Sequence, residues 1–542
     1  MSPKQRLHEL RQRWGKPIER TRAMDAMEMF HRQTAKAGER VDDHTWEDLG
    51  LTEVFAVIDR SEGMPGRQVL YHQMRMYVTD AAVLAERARQ HEIFRRESAL
   101  REQIQLLMER LDRPGSESIA PFLLGVLPPR PRQAWLFPIL SAVSAAVLVG
   151  AFFFHALFLL VVLLSLINAT IYYTYGQSIA PHFSGFAQIN SLLGVAAELG
   201  KISDGPGLPQ IAGLSQSRPL IEALRRRLGW LVIDRSTLPD LMQVVFGYLN
   251  MCFLLDIVVF LRSVHLLEKN RAALGQIFEA VGSLDAAIAV ASYLEGLPAF
   301  ALPELGAHRR IEVTGLYHPL IPHAVENTFS LNGRSALITG PNMAGKTAFI
   351  RAMGINLILA QTLGFCLARS AVLPRAVVKS SIRREDRLSD GESYFFTEIK
   401  QVLDFIQAGQ DGRIHVFLID EIFRGTNTIE RIASAAAVLR YLAQAHIVFA
   451  TTHDVELQRM LADTYGMHHF SDRVVDGKYG FDYLIHPGPV RSRNAIKLLA
   501  LSGYPEAITE EARQLAAELE AVADKFRGEM ERVKGEEGEE KE

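Results

Sequence analysis

From Ala134 to Tyr175 the chain carries no acidic residue, no lysine and no arginine, and most of the stretch reads LFPILSAVSAAVLVGAFFFHALFLLVVLLSLINATIYY. Few folds accept such a run. A bilayer span takes about 20 apolar residues as a helix, so roughly 40 are enough for two helices and a tight turn. Gly150 to His155 is the natural place for that turn. Trp135 at one end and Tyr172, Tyr173 and Tyr175 at the other suit the two sides of an interface. Arg130 and Arg132, just outside the first helix, favour entry from the cytoplasmic face. The competing fold is a pair of buried core helices, but these rarely run so long without a charge. The expectation is a transmembrane hairpin over 134–175, with the rest of the protein on the cytoplasmic side.

A second apolar run, VVFGYLNMCFLLDIVVFLRSVHLLEKNR, contains Asn250 and Asp256. An ionisable group at mid-bilayer is costly unless partnered. Over 244–261 a buried helix of a soluble domain is therefore expected rather than a third span. An odd number of spans would also set the two halves of the chain on opposite sides.

The remaining composition excludes several classes. Lys and Arg number 59 against 62 Asp and Glu, a net charge of −3, which gives no global electrostatic case for nucleic-acid binding. The two cysteines, Cys252 and Cys366, form neither a metal cluster nor a disulfide framework. The basic N-terminus, MSPKQRLHELRQRWGKPIER, lacks the apolar core of a signal peptide. Arg225, Arg226 and Arg227 make one basic cluster, which reads as a solvated helix face or a membrane-proximal anchor.

The texture changes along the chain. Residues 1–130 read as helices, forming the first half of a helical core that the hairpin at 134–175 interrupts and 176–303 completes. From 304 to 505, SALIT, HVFLID and HIVFATT each precede a turn and a helical pattern, which implies an α/β domain with a parallel sheet. Residues 506–542 form a charged helix, with Leu515, Leu519, Val522, Phe526, Met530 and Val533 at coiled-coil-like spacing, and an acidic tail.

Within the α/β domain, Gly340 to Thr347 fits G-x-x-x-x-G-K-[ST] between a strand and a helix, the context of a phosphate-binding loop. Its backbone N–H groups and the following helix N-terminus would face the phosphates of ATP. Lys346 would supply positive charge, and the Thr347 hydroxyl would hold Mg²⁺. HVFLIDE ends a strand on two carboxylates: Asp420 would support Mg²⁺, and Glu421 would activate the attacking water. His453, closing HIVFATTH, would reach the γ-phosphate or that water from a neighbouring strand tip.

These residues resemble the nucleotide-binding domain of the MutS family. TGPNMAGKT is similar to the family loop T-G-P-N-M-G-G-K-S, DRLSDGESYFFTEIKQV to its signature loop, LIDEIFRGTNTIE to its D-E-x-x-R-G-T segment, and ATTHDVEL to its T-H motif. HPLIP resembles the strand entry before the loop, GFDYLIHPGPVRSRNAIKLLALSGYP the family's closing pattern, and GSLDAAIAVASY the end of its helical core. The resemblance implies a P-loop ATPase of ABC type, with Gly340, Pro341, Asn342, Met343, Ala344, Gly345, Lys346 and Thr347 around ATP. It implies a homodimer with composite sites, Ser393 of one subunit closing on the γ-phosphate held by the other. It also implies a nucleotide-driven switch and DNA as a partner, whereas the mismatch-reading Phe-x-Glu wedge has no counterpart at the N-terminus. The departures are Ala344 for glycine, Thr347 for serine, Tyr394 for threonine, and Glu430-Arg431 where the repair enzymes carry Asp-Gly.

Overall fold

A computed structural model describes residues 2–35, 38–125, 131, 133–176, 179, 183–202, 207–229, 240–382, 394–423, 427–475, 478–489, 499 and 503–518. The chain divides into two compact units, Met1–Pro303 with Asn356–Cys366, and Glu304–Ile355 with Leu367–Glu542.

The first unit is helical. Its centre is the helix Arg271–Glu295, long and apolar enough to cross a membrane, yet with 83% of that apolar window buried. It is therefore the core. Glycines let it approach the helix Met64–Arg75 closely. A Cβ on Gly66 would lie 2.2 Å from Asp285 Oδ2, and one on Gly282 would lie 2.6 Å from the Pro65 carbonyl oxygen. Asp285 uses this proximity: its carboxylate accepts the backbone N–H groups of Glu62 at 3.0 Å and Gly63 at 2.8 Å, satisfying a buried turn. Burial pushes that carboxyl up to about 7. On the helix Arg218–Gly229 the leucines 224 and 228 are buried, whereas Arg225, Arg226 and Arg227 form an exposed face.

The run 134–175 folds as a helical hairpin. Leu136–Ala151 leads to a turn and a short 3-10 segment, His155–Leu157; Phe158–Ile171 returns and ends in a π-helical turn, Tyr172–Gly176. Its base is anchored in the helical core, where Phe137 is buried and its ring lies 5.8 Å from that of Tyr175. Elsewhere most of the hairpin is exposed, apart from a strip around Ser144, Leu164 and Asn168. Over His155–Gly176 only 11% of the apolar window is buried. Phe152 and Leu159 are 81% and 80% exposed. A contiguous apolar surface of this kind is foreign to a protein face in water.

The single buried helix expected over 244–261 is not what forms. The helix Asp240–Phe253 stops, Leu254 takes a left-handed φ of 51°, and a second helix, Leu255–Lys269, departs at 75°. Only the second half is a core helix, with Ile257, Phe260 and Val264 buried. The first half packs on the hairpin with one side and leaves Met242, Val244 and Tyr248 exposed on the other. The second half opens with Asp256 in its first turn, where a carboxylate suits the helix N-terminus.

The second unit holds two sheets. Strands β1 (Glu304–Gly306), β2 (Arg310–Leu316), β3 (Asn327–Asn332) and β5 (Ser370–Pro374) form a small mixed sheet in the order β1-β5-β2-β3. The main sheet contains β4 (Ser335–Thr339), β6 (Val377–Ser381), β7 (His415–Asp420), β8 (Ile447–Thr451), β9 (Tyr465–Val475) and β10 (Lys478–Pro487), ordered β10-β9-β4-β8-β7-β6. All its pairings are parallel except β9 with β10, which is antiparallel and irregular between Phe481 and Ile485. Asn327 of β3 clips that irregularity, donating to the Tyr483 carbonyl at 3.1 Å and accepting the Ile485 N–H at 2.8 Å. The charged C-terminal helix is described over 506–518; its expected continuation from Leu519 lies outside the described residues.

Candidate functional site

Strand β4 is buried at all five positions and sits inside the sheet, so the loop that follows it emerges from a rigid support. Gly340, at φ 137°, runs past β9 so closely that a Cβ would lie 2.5 Å from the Phe470 carbonyl oxygen. Gly345 has φ 113°, and Met343, also left-handed at 68°, is 85% exposed. Ala344 is fully buried and absent from the positive-φ positions, so the methyl it adds to the family pattern is accommodated. Lys346 opens the helix Lys346–Thr362. Its buried ammonium donates to the Gly340 and Pro341 carbonyls at 2.8 and 2.9 Å, closing the loop on itself.

Three adjacent parallel strands, β4, β8 and β7, bring the other expected residues together at their C-terminal ends. The Thr347 hydroxyl donates to Asp420 Oδ2 at 2.8 Å. Asp420 pairs in register with Thr451, whose hydroxyl donates to the other carboxylate oxygen. Glu421 adopts φ 59° as the chain leaves β7, and its N–H donates to Thr451 Oγ1 at 3.1 Å. His453 Nε2 lies 2.8 Å from Glu421 Oε1 and 2.8 Å from Asn342 Oδ1. Lys346, Thr347, Asp420, Glu421, His453 and Asn342 thus form one cluster. Asp386 to Ser393 of the signature loop and Arg424 to Thr426 of the D-E-x-x-R-G-T segment lie outside the described residues.

Several contributors are not apparent from the motifs alone. Thr451 touches both acidic residues, and Glu398 accepts the Phe423 N–H at 2.6 Å. Arg431, a departure from the family pattern, donates to Asp454 at 2.8 Å beside His453. The loop also borders a cavity of about 620 Å³ lined by His318, Pro322, Phe349, Phe470 and Tyr483. HPLIP marked that wall in the sequence, though only as a strand entry. Burial, with Arg351 nearby, pushes the His318 imidazole down to about 4, so it is neutral at physiological pH. Its Nδ1 accepts the Leu320 N–H at 3.2 Å.

This oxygen chemistry fits Mg²⁺. A hydroxyl and a carboxylate are hard donors, and Mg²⁺ ordinarily keeps waters and takes phosphate oxygens besides one or two protein ligands. Among the described residues no group of three or more His, Cys, Asp or Glu gathers to hold a metal, so the pair suits an ion that arrives with a phosphate ligand rather than a protein-caged one.

Comparison with known proteins agrees with these motifs. Residues 336–520 match the family described as MutS domain V. The chain is 32% identical over 193 residues to DNA mismatch repair protein MutS 2 of Haloarcula marismortui, covering 34% of this chain and 20% of that protein. To DNA mismatch repair protein MutS of Thermus aquaticus it is 30% identical over 230 residues, 41% of this chain and 28% of the relative. For the protein of that name from Lactobacillus acidophilus the identity is 34% over 221 residues, 40% and 25% of the respective chains. The alignments thus span roughly a fifth to somewhat over a quarter of those relatives' length. Residues 336–520 of this chain are thus a domain of the MutS family.

Proposed function

We propose that this protein is a Mg²⁺-dependent ATPase that works as a dimeric conformational switch and is held at a membrane by residues 134–175. The observation that carries the ATPase reading is the convergence of the Thr347–Asp420 pair with Glu421 and His453 at neighbouring strand tips beside the loop. In this reading Lys346 exchanges its loop carbonyls for phosphate oxygens, and the helix N-terminus behind it faces the same anion. Thr347 and Asp420 would hold Mg²⁺, which when bound offsets charge on the phosphate oxygens. Glu421 takes the proton of the attacking water, while His453, bridging Glu421 and Asn342, keeps that carboxylate oriented. The adenosine end would lie in the cavity beside neutral His318 and Tyr483.

Dimerisation through composite sites, with Ser393 contributed in trans, rests on the family resemblance. DNA enters through the names of the relatives, and mismatch recognition is not part of the proposal. A second reading, an ATPase acting on a protein or lipid partner without DNA, is favoured by the exposed apolar hairpin. The test is ATP turnover by the full-length protein in detergent, with and without duplex DNA, for the native chain, Lys346→Ala and Ser393→Ala. Turnover abolished by Lys346→Ala and partly restored on mixing the two variants is the expected result. Turnover indifferent to Lys346→Ala removes the ATPase reading. No recovery on mixing removes the composite site. DNA that changes neither binding nor rate as salt is lowered leaves the second reading in place.

A further inference from the structure

The helix Asp240–Phe253 is the third wall of the apolar hairpin. Together with Ser144, Leu148, Val161 and Leu164 of the hairpin, Val245 and Tyr248 line an apolar cavity of about 330 Å³. At the wall of this cavity a polar clip joins all three helices: fully buried Asn168 donates to Ser144 Oγ at 2.9 Å and to the Cys252 carbonyl at 2.5 Å. Side-chain amides of this kind are a usual link between helices in lipid. The outward face is apolar, with Met242, Val244 and Tyr248 exposed by 48%, 56% and 63%. No Asp, Glu, Lys or Arg occurs from Leu241 to Leu255.

The chain on either side of this helix belongs to one core. Leu224 and Leu228 precede it, and Leu254, Ile257 and Phe260 follow it, all in the same buried cluster. The helix has 14 residues, which at 1.5 Å per residue is about 21 Å against about 30 Å of hydrocarbon. Leu254 then turns the chain by 75° into the core.

We propose that Asp240–Phe253 is a re-entrant membrane segment, packed on the hairpin, contacting acyl chains, and entering and leaving the lipid on the face that bears the helical core. This rests on the membrane reading of 134–175. The test is labelling by a membrane-impermeant maleimide in sealed vesicles of known orientation. Tyr248→Cys, Met242→Cys and a control on the exposed helix face, Arg226→Cys, are each placed in full-length protein carrying Cys252→Ser and Cys366→Ser. The expected result is labelling of the first two at least ten-fold slower than the control from either side, recovered after SDS. Labelling of Met242→Cys from the opposite side means a crossing helix and overturns the proposal. Labelling of Tyr248→Cys at the control rate, in protein that resists alkaline carbonate, places the helix outside lipid and also overturns it. Protection that falls as the protein is diluted into excess lipid means that a second copy covers this face, and again overturns it. Protein released by carbonate removes the membrane reading itself, and this segment with it.

Discussion

The Glu398 carboxylate accepts the backbone N–H of Phe423 at 2.6 Å, although 25 residues separate them in sequence. The turn it holds is a strained one: Glu421 and Phe423 both have positive φ, 59° and 61°. Each such residue costs of order 1 kcal/mol or more and persists only where its surroundings enforce it. Glu398 on the helix Tyr394–Ala408 therefore helps set where Glu421 points as the chain leaves β7.

Removing that acceptor should move Glu421. Glu398→Ala leaves the Phe423 N–H buried without its partner, at a cost of about 1–3 kcal/mol. ATP turnover is expected to fall by more than tenfold while nucleotide affinity changes little. Glu398→Gln, which keeps an acceptor oxygen, should recover part of the rate. Equal activity in the two variants would show that the contact is not used.

Thr451 offers a separate handle on the Mg²⁺ pair. Its hydroxyl fixes one oxygen of Asp420 while Thr347 takes the other. Thr451→Val keeps the shape and loses the bond. Outer partners of this kind typically change metal affinity by about 10–100-fold. The Mg²⁺ concentration giving half-maximal turnover should rise accordingly, with the ATP dependence measured at saturating Mg²⁺ nearly unchanged.

Glu421→Gln removes the proton acceptor and preserves shape. Turnover should drop by about 100-fold or more. Nucleotide binding, followed by fluorescence of a labelled ATP analogue, should be retained. Loss of binding and turnover together would mean that Glu421 builds the pocket rather than acting on water.

The helical unit should be sensitive to acid. Burial holds the imidazoles of His31 and His72 down to about 4, and that of His91 to about 3. Each is neutral in the fold and accepts a proton more readily once unfolded. Their contribution to stability is thus complete above about 6.5, the unfolded value, and is lost as pH falls through 4. The denaturation midpoint of this unit should decline between pH 7 and pH 4. His91→Gln, read by the same measurement, should show a shallower decline.

Asn168 reports on the three-helix element. Asn168→Leu deletes both donated bonds at the level where the helices meet, at a cost of about 0.6–2 kcal/mol. A lower thermal midpoint in detergent, with ATP turnover retained, is the expected outcome.

The phosphate loop is legible because its requirements are local: two glycines for left-handed backbone, a lysine, a hydroxyl, and a buried strand ahead of them. The Asp420-Glu421 and His453 strand ends are legible for the same reason. Thr451 is not, since a threonine in a β-rich run is ordinary until register sets it opposite Asp420. Glu398 was visible inside the signature motif, but its role depends on a turn that no local pattern announces. The break at Leu254 was hidden more deeply. Asn250 and Asp256 make 244–261 look like one buried core helix, whereas the uncharged half packs along the hairpin and the half opening at Asp256 joins the buried cluster of the helical core at the hairpin's base.

The clip from Asn327 onto β10 gives that edge strand an unusually fixed length. The irregularity between Phe481 and Ile485 leaves the Tyr483 carbonyl and the Ile485 N–H outside the ladder, and one side chain from the neighbouring sheet answers both. Because β10 carries two more residues than β9 across it, deleting a single residue there would leave the pairing still uneven, displace the groups that the asparagine binds, and turn every later side chain to the opposite face. Length variation that an edge strand normally tolerates is thereby forbidden at the wall where Tyr483 stands.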